Sequence, residues 1–181
     1  MFRSSVFIVS LGLFAVACGG SSPAEPSSGT TTVSTYTVSL LAANEVPAIT
    51  NADAGGGGTA TITLNVTRDN SGSISSATAD FQINVTGFPA GTLVTDAHIH
   101  NAGAGVNAGV FVSAGLTSGE LVVTNGGGTI TKKAISVPAD RAAAILGNPT
   151  GHYFNVHTSL NPAGAIRGQL SAASPASSPS L

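Results

Sequence analysis

The segment TATITLNV, residues 59–66, alternates at every position between a polar and an apolar side chain. In an extended chain, successive side chains point to opposite faces, so all its apolar residues share one face and its polar residues share the other. The same period of two recurs in YTVSL, residues 36–40, and in ATADFQINV, residues 77–85. A helix would need apolar residues three and four positions apart, so these segments predict β-strands that are each buried on one face.

Further strands follow along the chain, separated by glycine-rich turns such as Asn125 to Gly128. Residues 138–146, PADRAAAIL, form the helical candidate, because Pro stands at an early position, alanines fill the interior and Gly147 marks the end. About nine short strands with one short helix predict an all-β fold, an antiparallel Greek-key β-sandwich or barrel. The other strand candidates are residues 92–100, 109–113, 120–124, 129–136, 153–158 and 165–171.

The composition excludes several classes of protein. Charged residues make up 8% of the 181 residues, against about 25% in an average globular protein. Six lysines and arginines and a net charge of −2 leave no basic surface for nucleic acid, so we expect no nucleic-acid partner. The eight acidic residues are scattered through separate segments and offer no carboxylate pair for glycoside hydrolysis. We assign no catalytic residue, and the sequence favours a protein that is not an enzyme.

Residues 1–17 have the features of a secretory signal peptide. Arg3 precedes the apolar run VFIVSLGLFAVA at residues 6–17, which is shorter than the roughly 20 residues of a membrane-spanning helix. The segment from Ala15 to Cys18 fits an ordinary signal-peptidase site and also resembles the lipobox of bacterial lipoproteins. Cys18 is the single cysteine of the chain, so no internal disulfide is possible. We expect Cys18 to carry a lipid that anchors the protein to a membrane outside the cytoplasm, with plain secretion as the alternative.

Residues 18–33 and 172–181 are rich in Gly, Ser, Pro and Thr. Such segments bury too little apolar surface to offset the entropy of ordering. We therefore expect a flexible tether over residues 18–33, one β domain over residues 34–171 and a disordered tail over residues 172–181.

Three motifs stand in order along the chain: LAANEVP at 41–47, AHIHNAG at 97–103 with GVNAGV at 105–110, and YFNVHT at 153–158 with NPAGAIRGQL at 161–170. Together they resemble the CHRD domain, which is named after chordin and also occurs in many bacterial secreted proteins. The resemblance covers residues 34–171 and implies an extracellular all-β domain. Ala165 stands where the family usually has Glu, which removes a carboxylate beside Arg167, and Ala108-Gly109 replaces the usual Gly-Pro.

The strand predicted over residues 92–100 carries two of the four histidines. With regular alternation, Val94, Asp96, His98 and His100 share one face of this strand. The two imidazoles then lie roughly 6.6 to 7 Å apart along the strand, a spacing from which both reach one metal ion. Asp96 is then either a further ligand or an acceptor that orients an imidazole.

In the strand predicted over residues 153–158, His157 shares a face with Asn155. If the two histidine strands are neighbours, His98, His100 and His157 form a set that suits copper or zinc, with a fourth position left for water or a ligand. The alternative is structural: histidines on the polar face of a sheet also hydrogen-bond hydroxyls and carbonyls and hold adjoining loops in place.

Asn155, Arg167 and Gln169 are candidates for a polar network around the histidines. Two hypotheses for function follow. The first is a lipid-anchored, extracytoplasmic binding or adhesion module whose partner is a protein or surface ligand. The second is a mononuclear copper or zinc protein that uses the three histidines, with redox activity if the metal is copper.

Overall fold

The computed structural model describes residues 29–171 and 174–175. In these residues the chain forms ten strands and one α-helix, together with short 3₁₀ turns at Ala42–Asn44, Ala52–Gly55 and Pro149–Gly151. The all-β fold with one short helix, predicted from the sequence, is confirmed. The elements are β1 (Thr30–Leu41), β2 (Gly57–Arg68), β3 (Ile74–Thr86), β4 (Leu93–His100), β5 (Val110–Ser113), β6 (Leu121–Val122), β7 (Gly127–Ser136), α1 (Ala139–Gly147), β8 (Tyr153–Thr158), β9 (Ile166–Gln169) and β10 (Ser174–Pro175).

The strands form one curled antiparallel sheet, a half-barrel, in the order β5-β4-β8-β9-β1-β2-β3-β7. β6 pairs with β4, and β10 pairs with β1. Three neighbouring pairs join strands that are distant in sequence: β4 with β8, β9 with β1, and β3 with β7. The pairing of β4 with β8 matters most for function, because it brings the two histidine strands together.

The core lies inside the curl of the sheet, where α1 packs against β3. In residues 36–40, 59–66 and 77–85 of β1, β2 and β3 the alternation is the pattern that the sequence predicts, with every second side chain buried and the intervening polar side chains more exposed. Each fully buried aliphatic or aromatic side chain stabilises the fold by roughly 1.5–3 kcal/mol. The largest fully buried side chains are Tyr36, Leu40, Ile62, Leu64, Phe81, Ile83, Ile99, Ile145, Phe154, Ile166 and Leu170.

The paired part of the chain extends beyond the boundaries predicted for the β domain. β1 begins at Thr30, inside the predicted tether, because its first residues pair with the end of β2 through backbone hydrogen bonds that need no apolar side chain. In the predicted tail, Ser174–Pro175 pairs with β1. The signal peptide, Cys18 and the tether as far as residue 28 lie outside the described residues.

A β-bulge in β4 corrects one prediction. Val94 pairs with Thr158 and Asp96 with His157, so Thr95 is an extra residue on β4. The bulge reverses the alternation, and Val94 joins the core, where it is 1% exposed. The histidine face of β4 is therefore shorter than regular alternation predicts, since Val94 does not share it.

Gly168 permits the close approach of β9 to β1. A Cβ atom there would collide with the Ser39 carbonyl oxygen and would lie 2.8 Å from the Val38 side chain. We predict that Gly168→Ala lowers the free energy of unfolding by about 1–3 kcal/mol, because the two strands must move apart. Urea unfolding measures the change. Gly103→Ala is the control, since a Cβ there meets no atom within 4 Å, and equal losses in both variants would contradict the prediction.

Candidate functional site

The site lies on the face of β4, β8 and β9 that points away from the core. Three rungs of cross-strand neighbours span this face, and they contain all seven residues that the sequence singled out within the domain. Three loops pack over them, formed by residues 42–51, 101–109 and 159–165, which we call the covering loops. The rungs are His100–Tyr153–Gln169, His98–Asn155–Arg167 and Asp96–His157.

The three histidines converge, as the sequence predicts for neighbouring strands. His98 Nδ1 lies 3.1 Å from His157 Nε2. One ring nitrogen from each of His98, His100 and His157 lies within 4.8 Å of the corresponding atoms of the other two. All three side chains are buried. The fourth histidine, His152, lies on the other face of the chain, where its ring packs beside Phe111.

The other ring nitrogen of each histidine contacts an oxygen atom. His98 Nε2 lies 2.9 Å from the Asp96 carboxylate, His157 Nδ1 lies 3.0 Å from the Pro162 carbonyl, and His100 Nδ1 lies 3.0 Å from the carbonyls of Ala108 and Gly109. Carbonyl and carboxylate oxygens only accept hydrogen bonds, so these nitrogens carry the hydrogens. In a neutral imidazole the second nitrogen is then unprotonated. His98 Nδ1 and His157 Nε2, which face each other, and His100 Nε2 therefore present lone pairs.

Burial keeps the three imidazoles neutral. It lowers the pKa of His98, His100 and His157, and it outweighs the oxygen contacts that act in the opposite direction. Mutual repulsion among the three rings lowers these pKa values further. His100 Nε2 has no hydrogen-bond partner among the described residues.

The polar residues predicted around the histidines take separate roles. Asp96 orients His98 through the 2.9 Å contact, and its side chain is 39% exposed. The Arg167 guanidinium stacks on Tyr153, at 4.7 Å from the centre of the ring. Tyr153 in turn stacks on His100, with 4.6 Å between the ring centres. Gln169 donates to the carbonyls of Ala102 and Thr150, so it anchors loops rather than an imidazole.

Glu45 is the residue that sequence reasoning missed. Its buried carboxylate lies 3.9 Å from Arg167 Nε. Burial raises the pKa of Glu45 to about 7, although Arg167 and a hydrogen bond from Asn155 lower it. The motif LAANEVP contains Glu45, but only the folded chain brings it beside Arg167.

A comparison with protein-family models identifies the family of the chain. The family model for the CHRD domain matches residues 36–170. This chain belongs to the CHRD domain family. CHRD domains are typically extracellular modules. Within the part of the chain that the structure describes, no helix has the length and hydropathy needed to span a membrane. A search of the curated proteins found no match, and a search of the solved structures found none either.

The pKa shifts in this CHRD domain give opposing contributions to its stability. The histidine pKa values are lowered by folding, so their contribution is present above the unfolded value of 6.5 and is lost as the pH falls through the folded values. Folding raises the pKa of Glu45 from 4.5 to about 7. The folded state therefore binds more protons at Glu45 than the unfolded state between these values, and this contribution falls as the pH rises.

We predict that the free energy of unfolding of Glu45→Gln rises more steeply between about pH 5 and pH 7 than that of the wild type. Across this window the rise in the variant should exceed the change in the wild type by up to about 3 kcal/mol. Urea unfolding in the presence of chelator measures the two slopes. Glu120→Gln is the control, because the pKa of exposed Glu120 is lowered by its hydrogen bond to the Thr117 backbone and lies below the window. Identical slopes in the wild type and Glu45→Gln would contradict the prediction.

Proposed function

We propose that this CHRD domain is an extracytoplasmic module that holds one copper or zinc ion between His98, His100 and His157. The observation that carries the proposal is the convergence of the three imidazoles, which places one ring nitrogen of each within 4.8 Å of the other two. Two lone pairs at 3.1 Å repel each other unless a proton or a metal ion lies between them. Each imidazole also has an oxygen acceptor on its far nitrogen, which is the arrangement that orients histidine ligands in metalloproteins.

The spacing is close to what a metal ion requires. Zinc–nitrogen bonds of about 2.0–2.1 Å at a tetrahedral centre place two ligand nitrogens about 3.3 Å apart. The separation between His98 and His157 is 3.1 Å, and the three candidate atoms lie within 4.8 Å of one another. His100 Nε2, which has no other partner among the described residues, is the candidate for the third ligand atom.

The donor set favours copper or zinc. Neutral imidazole nitrogens suit both metals, whereas calcium and magnesium prefer oxygen ligands. Asp96 is already engaged with His98, so we assign it to orientation of that ligand. Three protein ligands leave a fourth position for water or a small ligand, and copper in such a site would be redox-active.

The location of the protein is part of the proposal. The signal-peptide features of residues 1–17 and the single Cys18 support a lipid anchor in the cell envelope. CHRD domains are typically extracellular, which supports a location outside the cytoplasm.

A binding or adhesion module is the second candidate function. Its support is the apolar surface of the covering loops, where Val46 is 39%, Val106 55% and Leu160 52% exposed. Exposed apolar residues that cluster on loops favour contact with a protein or surface ligand. This function is compatible with a metal centre beneath the same loops.

We predict that untagged protein binds one zinc or copper ion per chain, and that saturating metal raises the free energy of unfolding by about 2.7 kcal/mol at a hundred times the dissociation constant. Chelator should reverse the gain. Elemental analysis and thermal unfolding with and without metal measure both effects.

The double variant His98→Gln, His157→Gln should lose the metal and the gain in stability. His152→Gln is the matched control, because His152 is a buried histidine outside the cluster, and it should keep both. Equal metal content in the double variant and the wild type would overturn the assignment of the site.

We predict that the mature chain begins at Cys18 and carries a lipid there. Mass spectrometry of protein from the membrane fraction measures the modification, and Cys18→Ala should release the protein into the soluble fraction. An unmodified thiol at the mature N-terminus would contradict lipidation.

A further inference from the structure

A cavity of about 310 Å³ opens beside the histidine centre, between two of the covering loops. Segments 45–51 and 160–164 line it. Most of its wall is apolar, formed by Val46, Pro47, Ala48, Ile49, Leu160, Pro162 and Ala163. Cavities of this size with apolar walls and few polar groups are typical of small-molecule sites.

Glu45 is the charged residue of the lining. The residue is 7% exposed, and its Oε1 atom has no hydrogen-bond partner among the described residues. A buried carboxylate oxygen without a partner costs free energy, so a ligand that donates a hydrogen bond to it gains affinity. The two asparagine side chains of the wall are already engaged, because those of Asn51 and Asn161 bond to each other.

Gly164 packs directly against the Glu45 carboxylate. A Cβ atom at this position would lie 2.9 Å from both carboxylate oxygens and 2.6 Å from Asn155 Nδ2. Gly164 also lines the cavity. Any side chain at this position would displace the carboxylate or Asn155, so glycine preserves this part of the lining.

We propose that this cavity binds a small primary amine, with its ammonium group on Glu45 and its short apolar chain against the loop residues. An ammonium group supplies both the hydrogen bond that Oε1 lacks and a charge of the right sign. The apolar wall excludes large or strongly polar ligands. This site is separate from the metal centre, because none of the three histidines lines the cavity.

The pH dependence of binding follows from the groups around Glu45. Arg167 of β9 lies 3.9 Å away, β8 contributes Asn155 with His157 further along the same face, and β4 contributes His98 and His100. The lining segments 46–51 and 160–164 contain no ionisable side chain. Since the pKa of Glu45 is raised to about 7, the carboxylate form gains population as the pH rises through this value. Amine affinity should rise with it.

The experiment titrates n-butylammonium, n-butanol and butyrate into the full chain, with chelator present so that no amine can bind a metal. Calorimetry at about pH 8, where Glu45 is ionised and the amine is still protonated, measures the three affinities. We expect the amine to bind at least about tenfold more tightly than the alcohol, which has the same chain length and no charge. Butyrate should bind more weakly still.

Two variants test the assignment. Glu45→Gln should abolish the preference for amine over alcohol, whereas the matched control Glu120→Gln, which removes an exposed carboxylate, should retain it. Leu160→Arg places a positive charge at the mouth of the cavity on a residue that is 52% exposed, so it should weaken amine binding without disturbing the core. Equal affinity for amine and alcohol in the wild type, or an unchanged preference in Glu45→Gln, would overturn the proposal.

Discussion

The structure depends on the hydrogen bonds that polar side chains form where the covering loops bury the outer face of β4, β8 and β9. A hydrophobic core tolerates many arrangements, whereas a buried donor or acceptor that lacks a partner costs about 1–3 kcal/mol. Here the partners are loop carbonyls: those of Pro162, Ala108 and Gly109 receive histidine hydrogens, and that of Asn44 accepts from Arg167. The hydrogen bonds that satisfy the imidazoles therefore also fix the loops.

The composition is consistent with this constraint. The protein has few charged residues, and its covering loops use glycine, alanine and asparagine, whose small side chains leave backbone carbonyls accessible to the sheet. The result is a polar layer that contains few charged side chains. Glu45 and Arg167 are buried beside the histidines, and of the other charged side chains that the structure describes only Asp53 is buried. Any cation that enters this layer meets the imidazoles at one place and the Glu45 carboxylate, which lies beside Arg167, at another.

Much of the fold follows from local patterns. The alternation in residues 36–40, 59–66 and 77–85 predicts strands that the structure contains, and the helix forms within a residue of its predicted bounds. The bulge at Thr95 was not predictable, because its residues fit regular alternation equally well and the extra residue is visible only in the register with β8. The start of β1 at Thr30 was not predicted, because backbone hydrogen bonds between strands do not depend on the hydropathy of the side chains.

The sequence by itself determined nine of the ten strands of the described residues, the helix, the family and, outside the bulge in β4, which side chains share a face, because a period of two is encoded by neighbouring residues. It also identified the three histidines, since His98 and His100 are two positions apart and His157 lies on the corresponding face of its own strand. Only the tertiary structure decided that these strands are adjacent, which nitrogens face inward and that Glu45 lies beside Arg167. Residues 45 and 167 meet through loop packing and the pairing of β1 with β9, and such long-range contacts depend on the whole fold and have no periodic signal in the chain.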